Sequence, residues 1–163
     1  MLQRIQSVYL FIAVLCVTAM FLSAFNTFNF NEIEFNFSLF GVHQVKGQPN
    51  LNFSASAYTL ILICAIFFVV NINSIFLFKN RKKQIRMVGL GILILATFSV
   101  AEFFFANYHQ SKIAEILNID TVKIQINYGI GTLMPILALL MNFLAIRAIK
   151  KDEEFIRSAD RVR

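Results

Sequence analysis

Tryptophan is missing from the 163 residues, cysteine and proline occur twice each, and only 15% of positions carry a charge. The two thiols, Cys16 and Cys64, lie far apart inside apolar stretches, so neither a Cys-x-x-Cys redox pair nor a cysteine metal framework is present. There is no Gly-rich turn with Lys or Ser behind it to cradle a phosphate. His43 and His109 fall in loops with Glu32, Glu34 and Asp120, but without a ligand spacing, so no metal and no cofactor is expected. The shortage of charge also excludes a water-facing surface. With 58% hydrophobic residues and 19 Phe, a soluble fold of this length cannot hide its apolar side chains.

Those side chains are gathered into four runs, at 7–25, 58–78, 87–105 and 130–149. Bilayer hydrocarbon is about 30 Å thick and is crossed by roughly 20 apolar residues, so each run is read as a spanning helix. A cleaved leader is a poor reading of the first, because Leu22 does not fit the small-residue pattern ahead of Ala24. The net charge of +6 is not spread over a polar face suited to nucleic acid; it is clustered beside the runs. Arg4 precedes the first, Lys79, Arg81, Lys82, Lys83 and Arg86 separate the second and third, and Arg147, Lys150, Lys151, Arg157, Arg161 and Arg163 close the chain. Only Lys46, Lys112 and Lys123 of the fifteen basic residues lie elsewhere, which places both ends in the cytoplasm and loops 26–57 and 106–129 outside.

The outer loops carry their own pattern. Ile33, Phe35, Phe37 and Leu39 alternate with polar residues, while Phe28 and Phe30 have the opposite parity, which requires a turn or bulge near Asn31. Gly47, Pro49 and Asn50 signal a second turn, followed by Leu51 and Phe53 in alternation. In the second loop, 111–117 suits a short helix, and Val122, Ile124 and Ile126 alternate as a strand. A lone hairpin is marginal in water, so these strands are expected to join in one small sheet capping the bundle. The fold class expected is an all-α four-helix membrane bundle with an extracytoplasmic β cap, forming a single domain.

Polar residues inside the runs are the candidate sites. Glu102 is the only carboxylate within a span and lies near the outer end of the third, where Thr132 or Tyr128 is a suitable partner. Asn71 and Asn73 in the second run and Asn142 in the fourth lie at similar heights and suit bonds across the bundle. Gly89, Gly91, Gly129 and Gly131 mark close approaches, and Pro135 marks a kink. The tail beyond 149 reads as an amphipathic helix, with Phe155, Ile156, Ala159 and Val162 to one side and a Glu153–Arg157 pair on its surface. Arg4, Arg81, Lys82, Lys83, Arg86, Asp152, Glu153, Arg157, Asp160 and Arg161 are expected to form one cytoplasmic platform. In it Asp152, Glu153 and Asp160 face Arg4, Arg81 or Lys82.

Three stretches carry a resemblance: the opening Met1-Leu2-Gln3-Arg4-Ile5-Gln6-Ser7-Val8-Tyr9-Leu10, the loop Phe78-Lys79-Asn80-Arg81-Lys82-Lys83-Gln84-Ile85-Arg86, and the close. The close reads Arg147-Ala148-Ile149-Lys150-Lys151-Asp152-Glu153 with Arg157-Ser158-Ala159-Asp160-Arg161. Through them the whole chain resembles the Bacteroidota four-span family called domain of unknown function 4293. The resemblance implies a Gram-negative inner membrane and carries over no catalytic residue. The leading expectation is a non-enzymatic structural or accessory subunit of a membrane complex, with the lipid bilayer and a protein partner or second copy as its contacts. The alternatives are a small transporter or channel component built around Glu102 and the buried Asn residues, or a membrane enzyme acting on a lipid or quinone.

Overall fold

The computed structural model describes residues 3–47 and 57–160. Four helices form the body: α1 (Gln3–Met20), α2 (Ala57–Phe76), α3 (Arg81–Leu117) and α4 (Ile130–Asp160). Helix α4 packs against both α1 and α3, and α2 packs mainly against α3. Three of the four, α2, α3 and α4, are long and apolar enough to cross a membrane, whereas the apolar stretch of α1, Ile5–Met20, is shorter. Between α1 and α2 lie strands β1 (Asn26–Phe30), β2 (Ile33–Ser38) and β3 (Gly41–Lys46), and β4 (Gln125–Tyr128) leads into α4. Together they make an antiparallel sheet ordered β3-β2-β1-β4.

The sheet joins the two loops as the alternation predicts, and its register explains the change of parity. Phe30 pairs with Ile33 across a turn in which Asn31 adopts φ +52°, so Phe28 meets Phe35 on one face although their spacing is odd. Asn tolerates the left-handed region better than branched residues. Phe28, Phe35, Phe37 and Val42 on that face are fully or nearly fully buried, and they belong to the same core as Phe25, Phe67 and Phe98 of the helical body. The cap therefore has no separate core of its own.

Four local expectations are corrected. The first run is not helical to residue 25: α1 ends at Met20, where Phe21 and Leu22 turn back to the Thr18 and Ala19 carbonyls, and Phe25 donates instead to the Phe37 carbonyl at 2.8 Å. The sheet captures those residues because Phe25 buries its ring against Phe37 and Phe98. The helix expected at 111–117 is no separate element but the end of α3, which runs 37 residues and stops where Asn118 takes φ +50°. Ile119 N then bonds to the Ala114 carbonyl at 3.0 Å and Asn118 N to that of Glu115 at 3.3 Å, the paired closure of a helix C-terminus. The strand expected from 121 begins only at Gln125, since Thr121–Lys123 is a single helical turn that leaves Val122 92% exposed. Finally, Leu39 lies in the β2–β3 turn, and 41–46 forms a strand that the alternation did not reveal. The tail is as expected a continuation of α4, and the helix passes Pro135 unbroken. The alternation at Leu51 and Phe53, the turn residues Pro49 and Asn50, and the last three residues lie outside the described residues.

The junction of sheet and bundle is made by backbone. The first amides of a helix have no partner inside it. In α4 Gly131 N donates to the Ala24 carbonyl at 3.1 Å, while Gly129 N, just ahead of the helix, donates to that of Phe25 at 2.6 Å. A Cβ at Gly129 would sit 2.5 Å from the Ala24 oxygen, and one at Gly131 would sit 2.6 Å from it, so both positions need glycine. Gly89, by contrast, has nothing within 4 Å. Gly131→Ala is expected to lower stability by about 1–3 kcal/mol, as overpacking does, while Gly89→Ala is expected to leave it unchanged or raise it. Denaturation of the two variants in detergent, side by side with the parent chain, checks this.

Candidate functional site

Glu102 lies on the face of α3 turned toward α4 and is 3% exposed. It borders a cavity of about 160 Å³ directly beneath the sheet, whose wall includes Asn26 from β1, Ser99 from α3, and Tyr128 and Thr132 from the β4–α4 segment. Phe103, Ala106 and Ile136 complete the wall, and Phe103 and Ile136 are about half exposed, so the space opens sideways on the outer surface of the bundle. The Thr132 hydroxyl, one of the two neighbours considered for Glu102 from the sequence, borders the same space as its carboxyl. It also lies 2.7 Å from the Phe25 carbonyl and 3.2 Å from Asn26 Oδ1. One hydroxyl has a single proton and two lone pairs, so it cannot donate to both oxygens. Ser99 Oγ is already committed to the Leu95 carbonyl at 3.1 Å. Glu102 Oε1 has no protein partner among the described residues.

Asn26 and Ser99 were not foreseen. Ser99 precedes Glu102 by three residues, the spacing that shares a helix face. The signal for Asn26 was its parity with Phe28 and Phe30: a polar residue on an otherwise apolar strand face needs a partner there.

The other candidates lie elsewhere. Asn71 Nδ2 reaches Asn142 Oδ1 at 3.4 Å, and Asn142 Nδ2 donates to the Ala138 carbonyl at 3.1 Å; both residues are buried. A Cβ on Gly91 would lie 3.9 Å from the same Asn142 oxygen, so α3 comes close at this level, as expected of that glycine. Asn73 points outward and bonds to the Val69 carbonyl of its own helix at 2.7 Å. None of the three borders the Glu102 cavity. His43 is exposed and pairs in register with Asn36, whereas His109 is buried beside Phe37 and Phe105, so the two histidines do not meet.

At the opposite end, Gln6 Nε2 donates to the Asp152 carboxylate, and both side chains are buried between α1 and α4. Asp152 was expected to face Arg4, Arg81 or Lys82; among the described residues the partner of its carboxylate is Gln6 of α1. The Arg4, Arg157 and Asp160 side chains and Arg161 lie outside the described positions. Lys82, Lys83 and Arg86 are exposed on the first turns of α3, and Glu153 is half-buried on α4. A shallow groove of about 540 Å³ runs between α1 and α4, bordered by Ile5, Tyr9, Arg147, Lys150, Lys151 and Asp152. Gln84, also buried, ties α3 to α2 through the Ser74 carbonyl at 3.1 Å. Among the described residues, the amides of Gln6 and Gln84 cross-link the helices at this basic end.

The chain belongs to the family described as domain of unknown function (DUF4293), whose model matches residues 2–162. No curated protein matches it. A double-mutant cycle on Asn71→Ala and Asn142→Ala is expected to give a coupling of about 0.6 kcal/mol, the average for bonds between membrane helices. Unfolding in mixed detergent measures it, and a coupling indistinguishable from zero would remove the pair from the account of how α2 and α4 are oriented.

Proposed function

We propose that this member of the family is a multi-pass protein of a bacterial inner membrane, of the Bacteroidota kind. In this reading all four helices cross the bilayer, both ends are cytoplasmic, and the chain serves as a non-enzymatic accessory subunit. The side chains turned away from the bundle support the placement: Leu62, Ile66, Val69, Leu93, Val100, Leu133 and Leu140 are all exposed apolar residues. Water is a poor solvent for such a belt, and lipid is a good one. Exposed Tyr58, Phe103, Phe104, Tyr108 and Tyr128 gather toward the sheet end, as side chains do at a membrane–water boundary. Helix α3 is about 55 Å long at 1.5 Å per residue, more than the hydrocarbon requires. Its last turns, with His109, Ile113 and Ala114 buried, lie beneath the sheet outside.

The accessory role rests on one observation above others, the fixed attachment of the sheet. Backbone bonds, the shared phenylalanine core and the Thr132 side chain hold it on the helix ends, so the chain presents one rigid outer surface and one basic inner surface. The transporter reading draws on the Glu102 cavity, but that cavity opens to the side and does not border the buried Asn pair. For a carrier a path between the two ends is required, and a sideways pocket supplies none.

Two measurements test this reading. With Cys16 and Cys64 replaced by serine, a cysteine at Lys46 is expected to react with an impermeant maleimide in intact spheroplasts. A cysteine at Glu154 should react only after lysis; the opposite pattern would invert the topology. Isolation of the native protein in mild detergent is expected to bring a stoichiometric partner that is lost on deleting residues 152–163. A chain recovered alone, at the mass of one copy, would refute the accessory role.

A further inference from the structure

We propose that the pocket beside Glu102 binds a protonated primary amine, seated between α3 and α4 with its N–H groups on the carboxylate and its carbon stem against Phe103 and Ile136. This goes beyond the accessory role and does not depend on it.

The argument begins with what the wall offers. Glu102 is 97% removed from solvent, yet Oε1 finds no protein donor among the described residues. The Thr132 hydroxyl stands in the same wall, but the Phe25 carbonyl, at 2.7 Å, takes its single proton. Ser99 has given its proton to Leu95, so it presents lone pairs as well. Of the groups at the buried end only the Asn26 amide still offers N–H donors, and it leaves Glu102 Oε1 without a partner. No Lys or Arg side chain borders it. A buried carboxylate without a counter-charge is unfavourable, and a small cation that also donates hydrogen bonds relieves both deficits.

Shape narrows the choice. Asn26 and Glu102 are buried and Ser99 and Thr132 partly so, while Phe103, Ile136 and Tyr128, from half to two-thirds exposed, form the mouth. A hydrated metal ion has no use for the apolar part of this wall. An ammonium group on a short alkyl stem uses both parts. The mouth lies on the flank of the bundle just below the sheet, which in the proposed placement is the headgroup level of the outer leaflet. A phosphatidylethanolamine headgroup meets these conditions, and so does a free alkylamine. The chemistry that selects either is the primary ammonium with its three N–H donors.

The purified full chain, stripped of lipid in detergent, is titrated with phosphatidylethanolamine and with phosphatidylcholine of the same acyl chains and followed by native mass spectrometry. Phosphatidylcholine carries the same charge but no N–H donor. The ethanolamine lipid is expected to bind at least ten-fold more tightly, and Glu102→Gln should abolish the preference while leaving helical content by circular dichroism unchanged. Competition by ethanolammonium chloride identifies the free amine as sufficient; binding of the lipid without such competition identifies the headgroup as the source. Equal affinity for the two lipids in the unaltered chain, with no binding of ethanolammonium, overturns the proposal. A Glu102→Gln chain that keeps the full preference overturns it also. If that variant does not fold, the comparison of lipids on the unaltered chain decides alone.

Discussion

The carbonyls of Ala24 and Phe25 lie on the amides of Gly131 and Gly129, and most of the sheet-bearing half of the molecule follows from that contact. It fixes where α1 must stop, because residues 21–25 leave the helix to reach the start of α4. The same contact aligns Asn26 with Tyr128, which starts the β1–β4 ladder and completes the sheet. It also brings Thr132 to the Phe25 carbonyl and so carries Asn26 to the buried end of the Glu102 pocket. Backbone can approach backbone this closely only without side chains between them, hence the two glycines.

Packing then makes the junction stiff. The Phe25 ring meets both Phe37 of the sheet and Phe98 of α3, and Phe37 continues to His109. Side chains interlocked in this way leave few voids and do not slide independently. The polar groups at the two ends play different parts. Gln6, Asp152, Gln84 and Ser74 tie helices to one another, whereas Glu102 faces a space that the protein itself leaves partly unfilled.

Much of this was legible because lipid-sized apolar runs and two-residue alternation are strong signals. The positions of α2, α3 and α4, the turn at Asn31 and the joining of the two loops in one sheet all follow from them. What was hidden depends on tertiary contact. Phe21 and Leu22 look like helix by composition, and only the pull of Phe25 into the shared core ends α1 before them. Gly41–Lys46 alternates weakly, since Val42 is buried and His43 and Val45 are exposed, and it becomes a strand by pairing with β2. Val122 and Ile124 have strand spacing, but Gln110 holds the Thr121 and Ile124 carbonyls at 3.2 and 3.3 Å and curls the segment. Of the candidate site, Glu102 and Thr132 could be named from sequence. Asn26 and Ser99 could not, because a strand and a helix far apart in the chain had first to meet.

Helix α3 carries one more implication. It continues without a break from Arg81 to Leu117, with no glycine or proline after Gly91, and Phe37 of the sheet packs on His109 near its far end. A rod about 55 Å long, leaned by about ten degrees at its base, swings its tip sideways by about 10 Å. A small angular change at the Arg81 end thus becomes a large displacement at the sheet end, as at the head of a tiller.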